Sequence, residues 1–123
     1  MVTKEEAKSF LKISEERIKY SGKELSEQNI NFVFEDYYSS LVEILHAIIL
    51  LDCYKVLNHI CLGNYIKDVL KREDLFNIFD SLRYKRNSLT YYGKKMDFEV
   101  GKDAIKKSKK LISELKKYLG KLK

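Results

Sequence analysis

The feature that most constrains this chain is the repetition of apolar residues at helical spacing from one end to the other, with no proline to interrupt it. Proline and glycine are the strongest helix breakers, and only five glycines occur among the 123 residues. No segment has the alternating pattern of a strand. We therefore predict an all-α fold, an antiparallel up-and-down bundle of four to five helices that forms a single domain over 1–123. The spacing predicts helices over 4–27, 32–53, 57–70 and 75–92, and a fifth with apolar positions from Val100 to Leu119.

Local signals mark where several of these helices begin and end. Thr3 is a predicted N-cap of the first helix and Asn31 of the second, because both side chains can accept hydrogen bonds from a first turn. Gly93 is the expected C-cap of the fourth helix, since glycine adopts the left-handed conformation without strain. The second helix is apolar on nearly all sides. It should therefore be covered by the rest of the domain or by a second subunit, and we expect a homodimer.

Composition and charge argue against several classes of protein. The first residues are charged and lack the apolar segment of a signal peptide, and the longest apolar run, 41–51, is too short to cross a membrane. We predict a cytoplasmic protein without membrane contact, in which Cys53 and Cys61 stay reduced. Neither cysteine has the spacing of zinc ligands, and no cofactor is predicted. The segment 94–123 carries 11 lysines and 4 acids, which suits nucleic acid or an acidic partner but is also typical of a solvated helix face.

A cluster of polar and cationic residues follows the apolar part of the fourth helix. Residues three, four and seven apart share a helix face, so Arg83, Arg86, Asn87 and Thr90 should line up on one side. Arginine suits phosphate because its planar fork of donors is always charged. The plainer interpretation is a solvated basic helix end, whose cations complement the helix dipole.

The second helix carries another pair of polar residues. Glu43 and His46 have the i, i+3 spacing of carboxylate-bridged metal bundles, but those sites need two such pairs and this chain has one. We therefore predict no metal site. The pair is expected either to be hydrogen-bonded and buried or to line a substrate cleft beside Arg86, while His46 could equally be a histidine of the core.

The whole pattern resembles the HEPN family. An all-helical chain of this size, with Asp36-Tyr37-Tyr38 at the start of its central helix and Arg86-Asn87 near the end of its fourth helix, is similar to these small bundles over nearly its whole length. The resemblance implies a dimer. It also implies a metal-independent ribonuclease, often the toxin of a pair whose antitoxin is a minimal nucleotidyltransferase.

The family motif is an Arg, usually followed by Asn and, a few residues later, by His. Arg86 and Asn87 match it, whereas Tyr91 stands where the His is usual. The resemblance implies that Arg86 holds a phosphate, that Asn87 bonds substrate or orients Arg86, and that Tyr91 replaces the His, with Arg83 and Tyr92 beside the substrate. Tyrosine, with a pKa near 10, is a poor base at neutral pH. On an ideal helix Arg86 and Tyr91 also lie about 140° apart, so they can share a cleft only if the helix ends or bends, or if a dimer joins two copies.

Three functions are consistent with these residues. The first is an HEPN-like protein that binds or cleaves RNA, with a nucleotidyltransferase as partner. The second is a catalytically inactive accessory or nucleotide-binding module that acts through protein contacts of Tyr91, Tyr92 and the basic final helix. The third is a helical bundle with a purely structural role.

Overall fold

The computed structural model describes residues 4–20, 24–52 and 59–122. Within these ranges the chain forms five helices and no strand, which confirms the prediction of an all-α fold. The third helix is short and continues into a π-helical turn, Tyr65–Val69. The helices are α1, Lys4–Tyr20; α2, Ile30–Leu51; α3, His59–Asn64; α4, Glu73–Tyr92; and α5, Phe98–Leu122.

The first helix is shorter than predicted, because α1 ends at Tyr20 and residues 24–29 are not helical. Ser26 and Asn29 close this connection on itself. The Ser26 backbone N–H donates to Asn29 Oδ1 at 2.8 Å, and the Asn29 N–H donates to Ser26 Oγ at 3.2 Å. Such side chains offer the backbone an alternative to helical bonds, which explains why apolar spacing alone extended the prediction too far.

The predicted cap of α2 is wrong, because the helix begins one residue before Asn31. Asn31 is buried, and its amide bonds the Met96 backbone in both directions. Met96 N–H donates to Asn31 Oδ1 at 2.8 Å, and Asn31 Nδ2 donates to the Met96 carbonyl at 3.2 Å. Asn31 therefore fastens the loop between α4 and α5 to the start of α2. The predicted C-cap of the fourth helix is confirmed, because Gly93 has a φ of 62°. The predicted N-cap of the first helix, Thr3, lies outside the described residues.

The central element is α2, which packs against α1, α4 and α5. Ser40 Oγ donates to the Ser14 carbonyl, and the Phe10 ring lies against the His46 ring. Residue numbers thus fall along α1 as they rise along α2, so the two helices are antiparallel. Arg72, just before α4, donates to Tyr118 near the end of α5, so α4 and α5 are antiparallel too.

The helices α2 and α5 are neighbours that run in the same direction. Gly101 lies against Ile30 at one end, and Lys109 Nζ lies 5.5 Å from the centroid of the Tyr37 ring further along. The long helices alternate in direction along the chain, as predicted, but this parallel contact was not foreseen. Both α4 and α5 pack against α2, and the absence of a side chain at Gly101 leaves room for the Ile30 side chain.

The core is built around α2. Its fully buried members include the largest apolar side chains of α2 together with inward residues of α3, α4 and α5: Phe34, Tyr38, Leu41, Ile44, Leu45, Ile48, Leu62, Leu75, Phe79, Leu82, Leu111 and Leu115. None of the described helices has both the length and the apolar composition that a membrane crossing would require.

Candidate functional site at the end of α4

The second half of α4 and the loop after it form a continuous basic region. Between Asp80 and Asp97 the chain has five cations and no acid. The buried side of the helix is marked by Leu75, Phe79 and Leu82. Arg86 continues this same side, since it lies eleven, seven and four residues after them. Arg86 is therefore half-buried at the end of the apolar row, whereas the exposed side of the helix carries Tyr84 and Tyr91.

The two arginines of this region are in different situations. Arg83 is engaged within its own helix, since its guanidinium donates to Asp80 Oδ1 from Nη2 at 2.7 Å and from Nε at 3.2 Å. Arg86 is half-buried, and its Cζ lies 5.9 Å from the centroid of the Tyr38 ring. In the part of the chain that the structure describes, Arg86 has neither a hydrogen bond nor an ion pair. Its guanidinium therefore keeps donors for a ligand.

Tyr38 forms the surface on which Arg86 rests. Burial is the main cause that raises the pKa of the Tyr38 phenol well above its ordinary value, and the charges of Arg86 and Arg83 oppose that shift. The phenol is therefore neutral at physiological pH. Its ring also stacks on Phe79 at 6.1 Å, so a rigid aromatic pair supports the cation through a cation–π contact.

A cleft of about 410 Å³ lies beside this region and is lined by Tyr84, Asn87, Ser88, Tyr92 and Lys94. Asn87 is half-buried in it. The two tyrosines are almost fully in solvent, with 71% of Tyr84 and 76% of Tyr92 exposed. The cleft thus combines an amide, a hydroxyl, an ammonium group and two aromatic rings, which is a lining suited to a nucleotide.

Tyr91, the residue at the usual position of the motif His, does not meet Arg86 within one chain. The helix stays α-helical through Tyr92, so neither an end nor a break separates the two residues. Five residues of regular helix turn by about 500°, which leaves Arg86 and Tyr91 about 140° apart. Tyr91 is 69% exposed, and Thr90 is exposed as well. Of the conditions considered above, only a second copy of the chain could bring Tyr91 to Arg86.

Glu43 and His46 lie elsewhere, on the side of α2 that faces α1. Glu43 Oε1 accepts from Arg17 Nη2 at 2.6 Å, and the His46 ring lies 5.4 Å from that of Phe10. Neither residue lines the cleft. Burial lowers the pKa of His46 below its ordinary 6.5, with the Glu43 charge acting in the opposite direction. The pair thus belongs to the α1–α2 contact, and the ion-pair partner of Glu43 is Arg17.

Metal ligands are not grouped in the described residues: no three His, Cys, Asp or Glu side chains there could hold an ion together. Cys53 lies outside the described ranges, and the side chains of His59 and Cys61 are not described either.

Of the residues that line the cleft, sequence reasoning named Asn87 and Tyr92 but missed Tyr84, Ser88 and Lys94. A readable signal existed for Tyr84, because it is seven residues from Tyr91 and therefore on the same helix face. The position of Lys94 in the cleft lining could not be predicted from the sequence, since it depends on how the chain turns at Gly93. Comparisons of the chain with protein families, with curated proteins and with solved structures found no match.

Proposed function

We propose that this protein binds RNA through the second half of α4 and the loop that follows it, as an HEPN-like protein would. The observation that carries the proposal is Arg86, a half-buried guanidinium with no anionic partner in the described residues, in a stretch of five cations and no acid. An arginine in this situation is suited to a phosphate, because phosphate accepts two parallel hydrogen bonds from the guanidinium fork.

The roles of the neighbouring residues follow from their positions. The Tyr38 ring covers one side of the Arg86 guanidinium, which removes water and strengthens the attraction to phosphate. Asn87 and Lys94 line the cleft on another side of α4, where an amide can bond a base or sugar and an ammonium can contact a phosphate further along the strand. Arg83 contributes positive potential, since its donors are directed at Asp80.

Resemblance to HEPN proteins extends this proposal to an assembly. In a homodimer of the HEPN type, Tyr91 of one copy would reach the Arg86 region of the other, a contact that the separation of about 140° prevents within one chain. The chain would then be the toxin of a pair, and its antitoxin would be a minimal nucleotidyltransferase. The missing His weakens catalysis, because tyrosine is a poor base at neutral pH. Arg86 could still stabilise charge on a phosphate during slow cleavage.

Binding of fluorescein-labelled single-stranded RNA, measured by anisotropy at several salt concentrations, tests this proposal. Arg86→Ala should weaken binding roughly tenfold or more, because it removes charge-assisted hydrogen bonds. It should also reduce the slope of log K against log salt by about 0.7, the contribution of one phosphate contact on a single strand. Lys107→Ala is the matched control, since it removes one charge from α5 that is paired with Asp103.

Two results would contradict the proposal. Absence of RNA binding by the unaltered protein at low salt would exclude the function. Equal binding by the Arg86→Ala and Lys107→Ala proteins would exclude the role of Arg86. Gel analysis of the same RNA after incubation separates binding from cleavage.

A second candidate is an inactive accessory or nucleotide-binding module that works through protein contacts. The exposure of Tyr84, Tyr91 and Tyr92 favours it, because exposed tyrosines are enriched where proteins meet. Purification of a complex with a nucleotidyltransferase, together with failure to bind RNA, would support this candidate over the first.

A further inference from the structure

Two exposed aromatic rings stand in register on the outer face of α4. Tyr84 and Tyr91 are seven residues apart in a helix that is regular over this whole span. Seven residues turn by about 700°, so the two side chains leave the helix within about 20° of each other and about 10.5 Å apart along its axis. Both rings are mostly in solvent, so neither is used for packing in the described structure.

That spacing matches a short stack of bases. Neighbouring stacked bases are separated by about 3.4 Å, so a ring, two bases and a second ring span three steps, or about 10.2 Å. We infer that Tyr84 and Tyr91 form a clamp that holds two unpaired bases of a single-stranded RNA between their rings. This inference rests on the proposed function, and it names the substrate class of that site as single-stranded RNA read through its bases.

The residues between the two rings suit such a ligand. Asn87 and Ser88 each lie one helical turn from both tyrosines, and both line the cleft. An amide between the rings faces the edges of the stacked bases, where it can donate and accept at the same time. Lys94 also lines the cleft and carries a positive charge that can bind a flanking phosphate.

A clamp of this kind selects against paired RNA. Bases in a duplex are stacked on their own neighbours and present only their edges in the grooves, so their flat faces are not available to side-chain rings. Stacking on aromatic side chains is the usual means by which proteins bind single strands, and it tolerates any base because every base has a flat face. We therefore expect preference for unpaired RNA without a strict sequence.

The probes are fluorescein-labelled hexaadenylate, an abasic hexamer with the same phosphates, and a short RNA hairpin stem. Tyr84→Ala and Tyr91→Ala should each weaken hexaadenylate binding about 5- to 150-fold, the range found when one stacking ring is removed. Tyr84→Phe and Tyr91→Phe should bind nearly as the unaltered protein does, because they keep the ring. The abasic hexamer should bind weakly and be insensitive to all four substitutions.

The control for losing an exposed aromatic side chain is Phe32→Ala, since Phe32 is 66% exposed outside the cleft and should not affect binding. The clamp is wrong if the alanine variants bind hexaadenylate normally while Arg86→Ala does not, a result that leaves the proposed function standing. It is also wrong if the abasic hexamer and the hairpin lose affinity in parallel with hexaadenylate. If no probe binds the unaltered protein, the proposed function itself fails. Circular dichroism spectra of all variants show whether each is folded.

Discussion

Replacing Gly101 by alanine should destabilise the protein although alanine is the better helix former. A Cβ atom at this position would overlap Ile30 Cγ1, far inside van der Waals contact, and would also approach Ile30 Cδ1 at 3.4 Å. Ile30 is buried at the start of α2. Overpacking of this kind costs about 1–3 kcal/mol, whereas alanine in a helix gains only about 1 kcal/mol over glycine. We expect a net loss in the free energy of unfolding of up to about 2 kcal/mol.

The same helix supplies a matched control. Gly120 lies in α5 with nothing within 4 Å of an added Cβ, so Gly120→Ala should stabilise the protein, by at most about 1 kcal/mol because the helix ends nearby. Urea unfolding followed by far-ultraviolet circular dichroism measures both variants. The free energies of unfolding of the two alanine variants should differ by about 1–3 kcal/mol.

A double variant tests the cause. Ile30→Ala removes Cγ1 and Cδ1, the two atoms nearest to a Cβ at 101. The loss caused by Gly101→Ala should therefore shrink or vanish in that background, with a coupling energy of about 0.5–3 kcal/mol. The reasoning fails if Gly101→Ala stabilises the protein as Gly120→Ala does, or if the effects at 30 and 101 simply add. Either result would mean that α5 does not approach α2 as closely as the structure has it.

Two further predictions concern pH and assembly. Burial lowers the pKa of His46 below 6.5 in the folded protein, so the unfolded chain binds the proton more readily. The free energy of unfolding should therefore be highest above about pH 6.5 and fall as the pH drops through that value toward the folded pKa. His46→Gln should flatten this dependence in urea unfolding measured from about pH 8 to about pH 5, and an unchanged pH profile would contradict the prediction. The homodimer predicts a mass by light scattering of twice the 14.6 kDa of one chain, and a monomer at micromolar concentration would refute it.

The long elements could be predicted from sequence because their signals are local. The apolar spacing of α2 and α4 and the glycine at 93 specify those helices with little help from the rest of the chain. The end of α1 could not be predicted by spacing, since Leu25 continues the apolar pattern beyond the helix. Ser26 and Asn29 instead bond each other's backbone N–H groups outside the helix. The prediction that Asn31 caps α2 was wrong for a related reason. Its partner, Met96, is 65 residues away in the chain.

The site was predicted in part. Helical spacing groups Arg83 with Arg86. Arg83 forms an ion pair with Asp80, three residues before it, so of the two arginines only Arg86 has guanidinium donors left for a ligand. Glu43 and His46 were considered for the same cleft. The sequence predicts that Glu43 and His46 are separated from Tyr38 around the axis of α2. It does not predict which helix covers each side of α2, because that depends on tertiary packing. That packing places them against α1.

The regularity of α4 restricts how the motif can work. An unbroken helix through Tyr92 keeps Arg86 and Tyr91 on different sides, so one copy of the chain offers two surfaces: a cation resting on Tyr38, and an outer face that carries Tyr84, Asn87 and Tyr91. A single strand could cross from one surface to the other around the helix, because adjacent residues 86 and 87 are only about 100° apart. If the protein binds RNA as a monomer, this path around α4 is the site, and Tyr91 acts as a stacking ring. If binding requires the dimer, Tyr91 instead completes the Arg86 site of the second copy.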